Sequence, residues 1–316
     1  MVSWDRPDVL VAHSKMAPAL VPGIEAEVPV RRAESVADLA PAERAAVEVL
    51  VGYQFPAGVL GLLPNLRWVH LTGTGTDHLA AAGLTPGVLV TNSARVPVES
   101  VAEYAVAALF ALLKDFAELP SRPPWYTSRA VMLDGSTVLV PGGGGRIGRA
   151  VIRRLSALGA RCVAVTRDGR CPVPLAYRTV PAARLAEAAG DADHVVCCLP
   201  ATPEPLLDKE VLAALPPHAA LVNVGRASAV DEGALHDALR AGELRGAFLD
   251  VHRTEPLPAT DPAWSVPNLV VSPHRAFAFP GEPAEVARTF LENLADLRAG
   301  RPARDAVAVT IDEGVS

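Results

Sequence analysis

Val138-Leu-Val-Pro-Gly-Gly-Gly-Gly-Arg-Ile-Gly148 is the stretch whose reading decides the fold. Its first residues are aliphatic and predict a buried strand. Beyond the glycines, Ala150, Val151, Ile152, Leu155 and Leu158 recur at helical spacing. Between strand and helix, Gly143, Gly145 and Gly148 fit the pattern G-x-G-x-x-G. Glycine there permits a tight turn, close approach of a pyrophosphate to the backbone, and close packing of helix on strand. The first turn of the helix offers unpaired N–H groups to the anion. A glycine loop alone is a weak signal; flanked by both elements, it predicts dinucleotide binding.

The next strand, Arg161-Cys-Val-Ala-Val165, ends where the ribose of a bound dinucleotide is read. An acidic residue there favours NAD through the 2′-hydroxyl. This chain has Thr166-Arg167, a hydroxyl and a guanidinium suited to a 2′-phosphate, so NADP is favoured over NAD. Asp168 follows and competes for the ribose.

Strand-like and helix-like segments alternate on both sides. Upstream strand candidates are Asp8–His13, Val47–Val51, Arg67–Leu71 and Val88–Thr91, with helical patterns over Pro41–Ala46 and Gly58–Leu63. Downstream strand candidates are Asp193–Leu199, Ala219–Val224, Gly246–Asp250 and Asn268–Ser272, with helices over Asp208–Leu215 and Glu232–Ala241. Such alternation predicts an α/β fold with mostly parallel sheets, and 316 residues suggest about two domains. Glu99–Leu119 is the longest helix candidate, with Ser100 as its cap and Glu103 completing an S-x-x-E box. The Pro-rich stretch Leu119–Ser128, carrying Trp125 and Tyr126, reads as a loop or as an arm to a second subunit.

Half of the residues are hydrophobic, enough for a substantial core. A net charge of −6 without a basic run argues against a nucleic-acid surface. The apolar run Val101–Leu113 is shorter than the roughly 20 residues of a membrane span, and Glu103 interrupts it. The first residues lack the basic and apolar regions of a signal peptide, so a cytoplasmic location is expected. Cys162, Cys171, Cys197 and Cys198 show no C-x-x-C spacing, which favours free thiols over a metal site.

Polar residues sit just past three strand ends: Arg226, Glu255 and His274. In an open parallel sheet those ends lie together. A second loop, Thr72-Gly-Thr-Gly-Thr-Asp77, also follows a strand; its amides suit a carboxylate, although an ordinary turn has the same composition.

In this order, Gly73–Asp77, Glu99–Glu103, Gly143–Gly148, Leu221–Arg226, Leu249–Leu257 and Ser272-Pro-His274 resemble the D-isomer-specific 2-hydroxyacid dehydrogenases, with features of glyoxylate/hydroxypyruvate reductases. The resemblance implies a Rossmann doubly wound parallel sheet over residues 96–278, which would hold the cofactor. It implies a smaller flavodoxin-like α/β substrate domain formed by 1–95 with 279–316, and a site in the cleft between them. It makes Arg226 the partner of the substrate carboxylate, His274 the acid/base, and Glu255 the carboxylate that orients His274 and stabilises its charged form. Backbone groups of Thr74 and Gly75 would join Arg226 at the substrate. Gly143, Gly145, Arg146, Ile147, Gly148, Thr166, Arg167, Pro200, Val224 and Asp250 would line the cofactor. A homodimer acting on a small 2-oxo or 2-hydroxy acid, without metal, membrane or nucleic acid, is the implied assembly.

Pro97 and Ala227 depart from common family residues, as do Pro141, Gly142 and Gly144 in the glycine loop. Tyr53, Gln54, His78, Val96 and Pro97 are candidate pocket residues. Two other functions keep the same fold: a nucleotide-binding regulator of the co-repressor kind, and a dehydrogenase of formate or phosphite. The complete trio Arg226, Glu255 and His274 disfavours the first.

Overall fold

The computed structural model describes residues 4–13, 15–116 and 130–309. The chain divides into two compact units, Met1–Pro97 with Phe279–Ser316, and Val98–Ala278.

The first unit holds a parallel sheet of β1 (Val9–Ala12), β2 (Val30–Ala33), β3 (Val49–Gly52), β4 (Trp68–Leu71) and β5 (Leu89–Asn92). The order β2-β1-β3-β4-β5 is flavodoxin-like. β1, β3 and β4 are buried along their whole length, which is why β1 and β3 read as unbroken apolar runs, with β4 interrupted only by His70. Helices α1 (Ala17–Glu25) and α2 (Pro41–Ala46) belong to this unit, as does the C-terminal helix Glu282–Arg298. The expected helical turn at 58–63 is a short 3-10 helix, Val59–Leu62.

Neither α1 nor β2 is evident from sequence pattern. α1 contains Pro18, Pro22 and Gly23, all poor helix formers. Tertiary packing prevails: Leu20 and Ile24 are fully buried, and a Cβ on Gly23 would lie 2.9 Å from Ala287 Cβ on the C-terminal helix. β2 is a partly exposed edge strand containing Arg31 and Arg32, the kind of charged edge that discourages pairing with another chain.

A chain of buried hydrogen bonds runs through β4 and β5. Trp68 Nε1–H donates to Thr91 Oγ1 (2.8 Å), so the Thr91 hydroxyl donates to His70 Nδ1 (2.7 Å). His70 Nε2–H then donates to Ser93 Oγ (3.2 Å), whose own proton goes to Leu71 O (3.0 Å). Every polar atom of the chain is satisfied with His70 neutral, and burial pushes its pKa down to about 3. Burial also pushes His194, in the second unit, down to about 4. In the unfolded chain both imidazoles protonate near pH ~6.5, so below that value the unfolded state binds more protons than the folded state. Stability should therefore fall as pH falls, by about 1.4 kcal/mol per pH unit for each histidine. Urea unfolding at about pH 7 and about pH 5 checks this, and equal stabilities would contradict it.

The second unit opens with α3 (Val98–Leu113). It continues through β6 (Thr137–Pro141), α4 (Arg146–Ala157), β7 (Arg161–Thr166), β8 (Arg178–Pro181), α5 (Leu185–Gly190) and β9 (His194–Cys197). It ends with α6 (Lys209–Ala214), β10 (Ala220–Asn223), α7 (Glu232–Ala241), β11 (Gly246–Leu249) and β12 (Leu269–Val271). All seven strands are parallel, in the order β12-β11-β10-β9-β6-β7-β8. The chain builds outward from β6 through β7 to β8, then crosses back to β9 on the other side. This is the Rossmann doubly wound arrangement, with its switch point between β6 and β9.

α3 differs from expectation at both ends. It begins at Val98, so Ser100 is inside the helix, and its hydroxyl donates to Ala276 O (2.7 Å) instead of capping. It ends at Leu113, and Asp115 takes a left-handed φ of +53° that cannot continue a helix. The C-terminal helix, α8 (Glu282–Arg298), is longer, at 17 residues against 16. The stretch Leu119–Ser128, with Trp125 and Tyr126, lies outside the described residues. Among those residues no helix is long and apolar enough to cross a membrane. All four cysteines are free, and burial pushes the Cys197 thiol up to about 12.

Candidate active site

The loops after β6 and β9 meet at the switch point. Gly142 has a left-handed φ of +82°, and a Cβ there would lie 2.6 Å from Cys198 O. A Cβ on Gly143 would approach Ala164 Cβ to 2.8 Å, and one on Gly148 would reach Gly142 O at 2.3 Å. The loop is thus folded tightly onto β7 and α4, a packing that only glycine allows. Gly145 precedes α4, whose ladder bond Arg149 N–H to Gly145 O (3.0 Å) leaves the amides of Arg146, Ile147 and Gly148 without acceptors in the helix. A pyrophosphate fits this cradle of amides. Pro200 is exposed just past β9, and buried Val224 donates its N–H to Cys197 O (3.1 Å) at the end of β10.

At the end of β7, Thr166 lies beside the glycine loop, since a Cβ on Gly144 would come within 3.0 Å of Thr166 Cγ2. Thr166 Oγ1 accepts the N–H of Gly169 (3.1 Å), which leaves its proton free to donate. The Arg167 side chain is exposed. The Asp168 carboxylate turns onto its own loop, accepting Arg170 N–H at 3.1 Å, with the Arg170 guanidinium 3.6 Å away.

Arg226, Glu255 and His274 stand on the loops after β10, β11 and β12, which are adjacent strands. The Arg226 loop is held by buried Asn223, whose amide donates to Arg226 O (3.1 Å) and accepts Gly225 N–H (3.0 Å). A Cβ on Gly225 would lie 2.3 Å from Leu199 O, so this loop also packs tightly on the one after β9. The half-buried Arg226 guanidinium donates only to Gly225 O (2.9 Å), and no carboxylate among the described residues pairs with it. A cation left without an acidic partner suits an anionic ligand.

His274 Nδ1 lies 2.6 Å from Glu255 Oε2. A carboxylate accepts, so Nδ1 carries the proton, which leaves Nε2 as the ring atom able to give or take one. The other Glu255 oxygen accepts the His252 N–H (2.9 Å). The Phe277 ring meets the imidazole edge to face, 5.9 Å between centroids. His274 adopts a left-handed φ of +47°, a conformation costing about 1–2 kcal/mol for an L-residue.

Asp250 holds that conformation. The carboxylate is 1% exposed and accepts the Ser272 hydroxyl (2.5 Å) and the amides of Arg275 and Ala276 (both 3.0 Å). The Tyr104 hydroxyl donates in turn to Ser272 Oγ (2.7 Å). The residue assigned by resemblance to the cofactor is thus also the anchor of the His274 loop. Asn223, Tyr104 and Ser272 belong to the same supporting set, and no sequence spacing singles them out.

In the first unit, the loop after β4 is pinned from β5: Asn92 donates to Thr74 O (2.9 Å), and Ser93 N–H to Gly73 O (3.1 Å). Gly75 N–H reaches the Tyr53 hydroxyl at 3.3 Å, and the Tyr53 ring covers Gly73, where a Cβ would collide at 2.8 Å. His78 packs edge-on against Tyr53 (5.2 Å). Gln54 has a left-handed φ of +54°, and Val96 and Pro97 precede α3.

The sequence model of the family described as D-isomer specific 2-hydroxyacid dehydrogenase, NAD binding domain, matches residues 108–276. A D-3-phosphoglycerate dehydrogenase of Mycobacterium leprae is 33% identical over 98% of this chain and 60% of its own length. The chain spans 52–60% of the curated relatives of that name that it matches. Among solved structures, a D-isomer specific 2-hydroxyacid dehydrogenase family protein of Aeromonas salmonicida superposes with a TM-score of 0.85 at 28% identity, covering 96% of this chain and 99% of that one. An NADPH-dependent glyoxylate/hydroxypyruvate reductase of Sinorhizobium meliloti, in complex with NADP and malonate, superposes with a TM-score of 0.80 at 29% identity, over 96% and 97% of the two chains.

Proposed function

This chain belongs to the D-isomer-specific 2-hydroxyacid dehydrogenase family, and on that premise we propose that it interconverts a small 2-oxo acid and its D-2-hydroxy acid with NADPH as the favoured cofactor. The observation that carries the reading is the His274–Glu255 pair, with Arg226, which has no acidic partner among the described residues, on the neighbouring strand's loop.

Arg226 pairs with the substrate carboxylate and polarises the adjacent ketone. By the family resemblance, backbone groups of Thr74 and Gly75 are assigned to a substrate carboxylate, for which the Gly75 N–H would leave the Tyr53 hydroxyl. His274 in its charged form gives the Nε2 proton to the carbonyl oxygen, and Glu255 holds the ring in place through Nδ1. When bound, the dinucleotide supplies the hydride that reduces the carbonyl carbon. The alcohol thus gains one hydride on carbon and one proton on oxygen, and the neutral His274 takes a proton from solvent to reset. In the reverse direction the same Nε2 accepts the hydroxyl proton.

The preference for NADPH is supported by the Thr166 hydroxyl, the exposed Arg167 guanidinium and the withdrawal of Asp168 onto Arg170. Arg167→Ala should raise the KM for NADPH by roughly ten- to a hundredfold, the worth of a charge-assisted bond, and leave NADH within about twofold. Steady-state kinetics with both cofactors check this; an equal loss for both would contradict the 2′-phosphate assignment. A homodimer is part of the proposal, and sedimentation of the purified protein tests it.

The substrate is sought among glyoxylate, hydroxypyruvate and, in the oxidative direction, D-3-phosphoglycerate. Turnover of either oxo acid with NADPH or NADH, or of D-3-phosphoglycerate with NADP+ or NAD+, supports the reading, and the D-configuration of the glycerate formed from hydroxypyruvate checks its stereochemistry.

A further inference from the structure

We infer that His252 is the positioning residue that sets the Glu255–His274 pair, by fastening the loop after β11 to the end of β12. The inference rests on the catalytic reading above and adds a residue for which that reading gives no task.

His252 contacts both carriers of the pair. Its backbone N–H donates to Glu255 Oε1 (2.9 Å), the oxygen that His274 does not use. Its ring Nε2 lies 2.9 Å from Ser272 O. A carbonyl only accepts, so His252 carries its proton on Nε2. Ser272 stands two residues before His274 and is itself fixed, its hydroxyl given to Asp250 and accepting from Tyr104. The His252 ring is 8% exposed, so this bond forms away from solvent, where it is strongest.

The loop after β11 would otherwise set its own distance from β12. Glu255 is about one third exposed, and its long side chain has rotamer freedom to lose. The amide of His252 fixes one carboxylate oxygen, and the ring fixes the loop against the strand end that leads into His274. Together they deliver the free oxygen to Nδ1 at 2.6 Å. Misplacement of such a pair by about 1 Å is enough to cost roughly a hundredfold in rate.

Two substitutions separate this role from packing. His252→Phe keeps a planar ring and removes the N–H, whereas His252→Gln keeps an N–H donor at similar reach. Sites are counted by NADPH titration, so loss of folded protein does not enter kcat. His252→Phe should lose about ten- to a hundredfold in kcat on the 2-oxo acid, with the Kd for NADPH unchanged and a larger solvent deuterium isotope effect on kcat. His252→Gln should return to within about threefold of wild type. In the proton NMR spectrum, the downfield His274 Nδ1–H signal should broaden in the Phe variant and stay sharp in the Gln variant. Wild-type kcat and a sharp signal in His252→Phe would overturn the inference, as would equal losses in both variants. A wild-type protein that turns over no 2-oxo acid would overturn the functional reading instead, and the NMR signal would still decide the role of His252.

Discussion

His274→Asn should lose about a thousandfold or more in kcat for reduction of a 2-oxo acid, while the Kd for NADPH stays within about twofold. Asparagine is small enough for the site and tolerates the left-handed φ of +47° that His274 adopts. The Asp250 bonds to Arg275 and Ala276 involve backbone amides and survive the change. What disappears is the proton at Nε2, held in place through Nδ1 by Glu255. Stopped-flow and steady-state kinetics check the rate, and fluorescence of bound NADPH checks the cofactor. A variant within about tenfold of wild type would show that His274 is not the proton donor.

Arg226→Ala comes second in size. The guanidinium has no acidic partner among the described residues and gives one bond to its own loop, so its removal leaves little of the fold unpaired. The Asn223 side-chain amide keeps the loop in place through bonds to the backbone of Gly225 and Arg226, which the substitution does not touch. The loss falls on the substrate: kcat/KM should drop by about a hundred- to a thousandfold, the range for removing a preorganised charged donor. Arg226→Lys should recover only part of it, because an ammonium does not reproduce the planar fork that meets a carboxylate with two bonds. Equal turnover in Arg226→Ala would remove Arg226 from the chemistry.

Much of the fold is legible in the residues. Strands buried on both faces, such as β1 and β3, show as continuous apolar runs. The glycine loop is legible because Gly142, Gly143 and Gly148 meet backbone at distances that no side chain allows. α1 is hidden because Pro18, Pro22 and Gly23 argue against a helix that only packing against α8 stabilises. The start of α3 is hidden for the opposite reason: Ser100 has the right residue type for a cap, but its hydroxyl is engaged by Ala276, far along the chain. The site divides in the same way. Arg226, Glu255 and His274 stand out as polar residues past strand ends, and topology places those ends side by side. Of the residues that hold them, Asn223 works within its own loop, whereas Asp250, His252 and Ser272 act through bonds between neighbouring loops. No local spacing encodes such bonds, so they become visible only in the folded chain.

Reductase chemistry is tested most directly by mixing the purified protein with NADPH and a panel of 2-oxo acids, and following the loss of reduced cofactor. The expected result is consumption that depends on the oxo acid, yields the D-2-hydroxy acid and vanishes in His274→Asn. Tight NADPH binding with no consumption on any 2-oxo acid, with NADPH or with NADH, would contradict it.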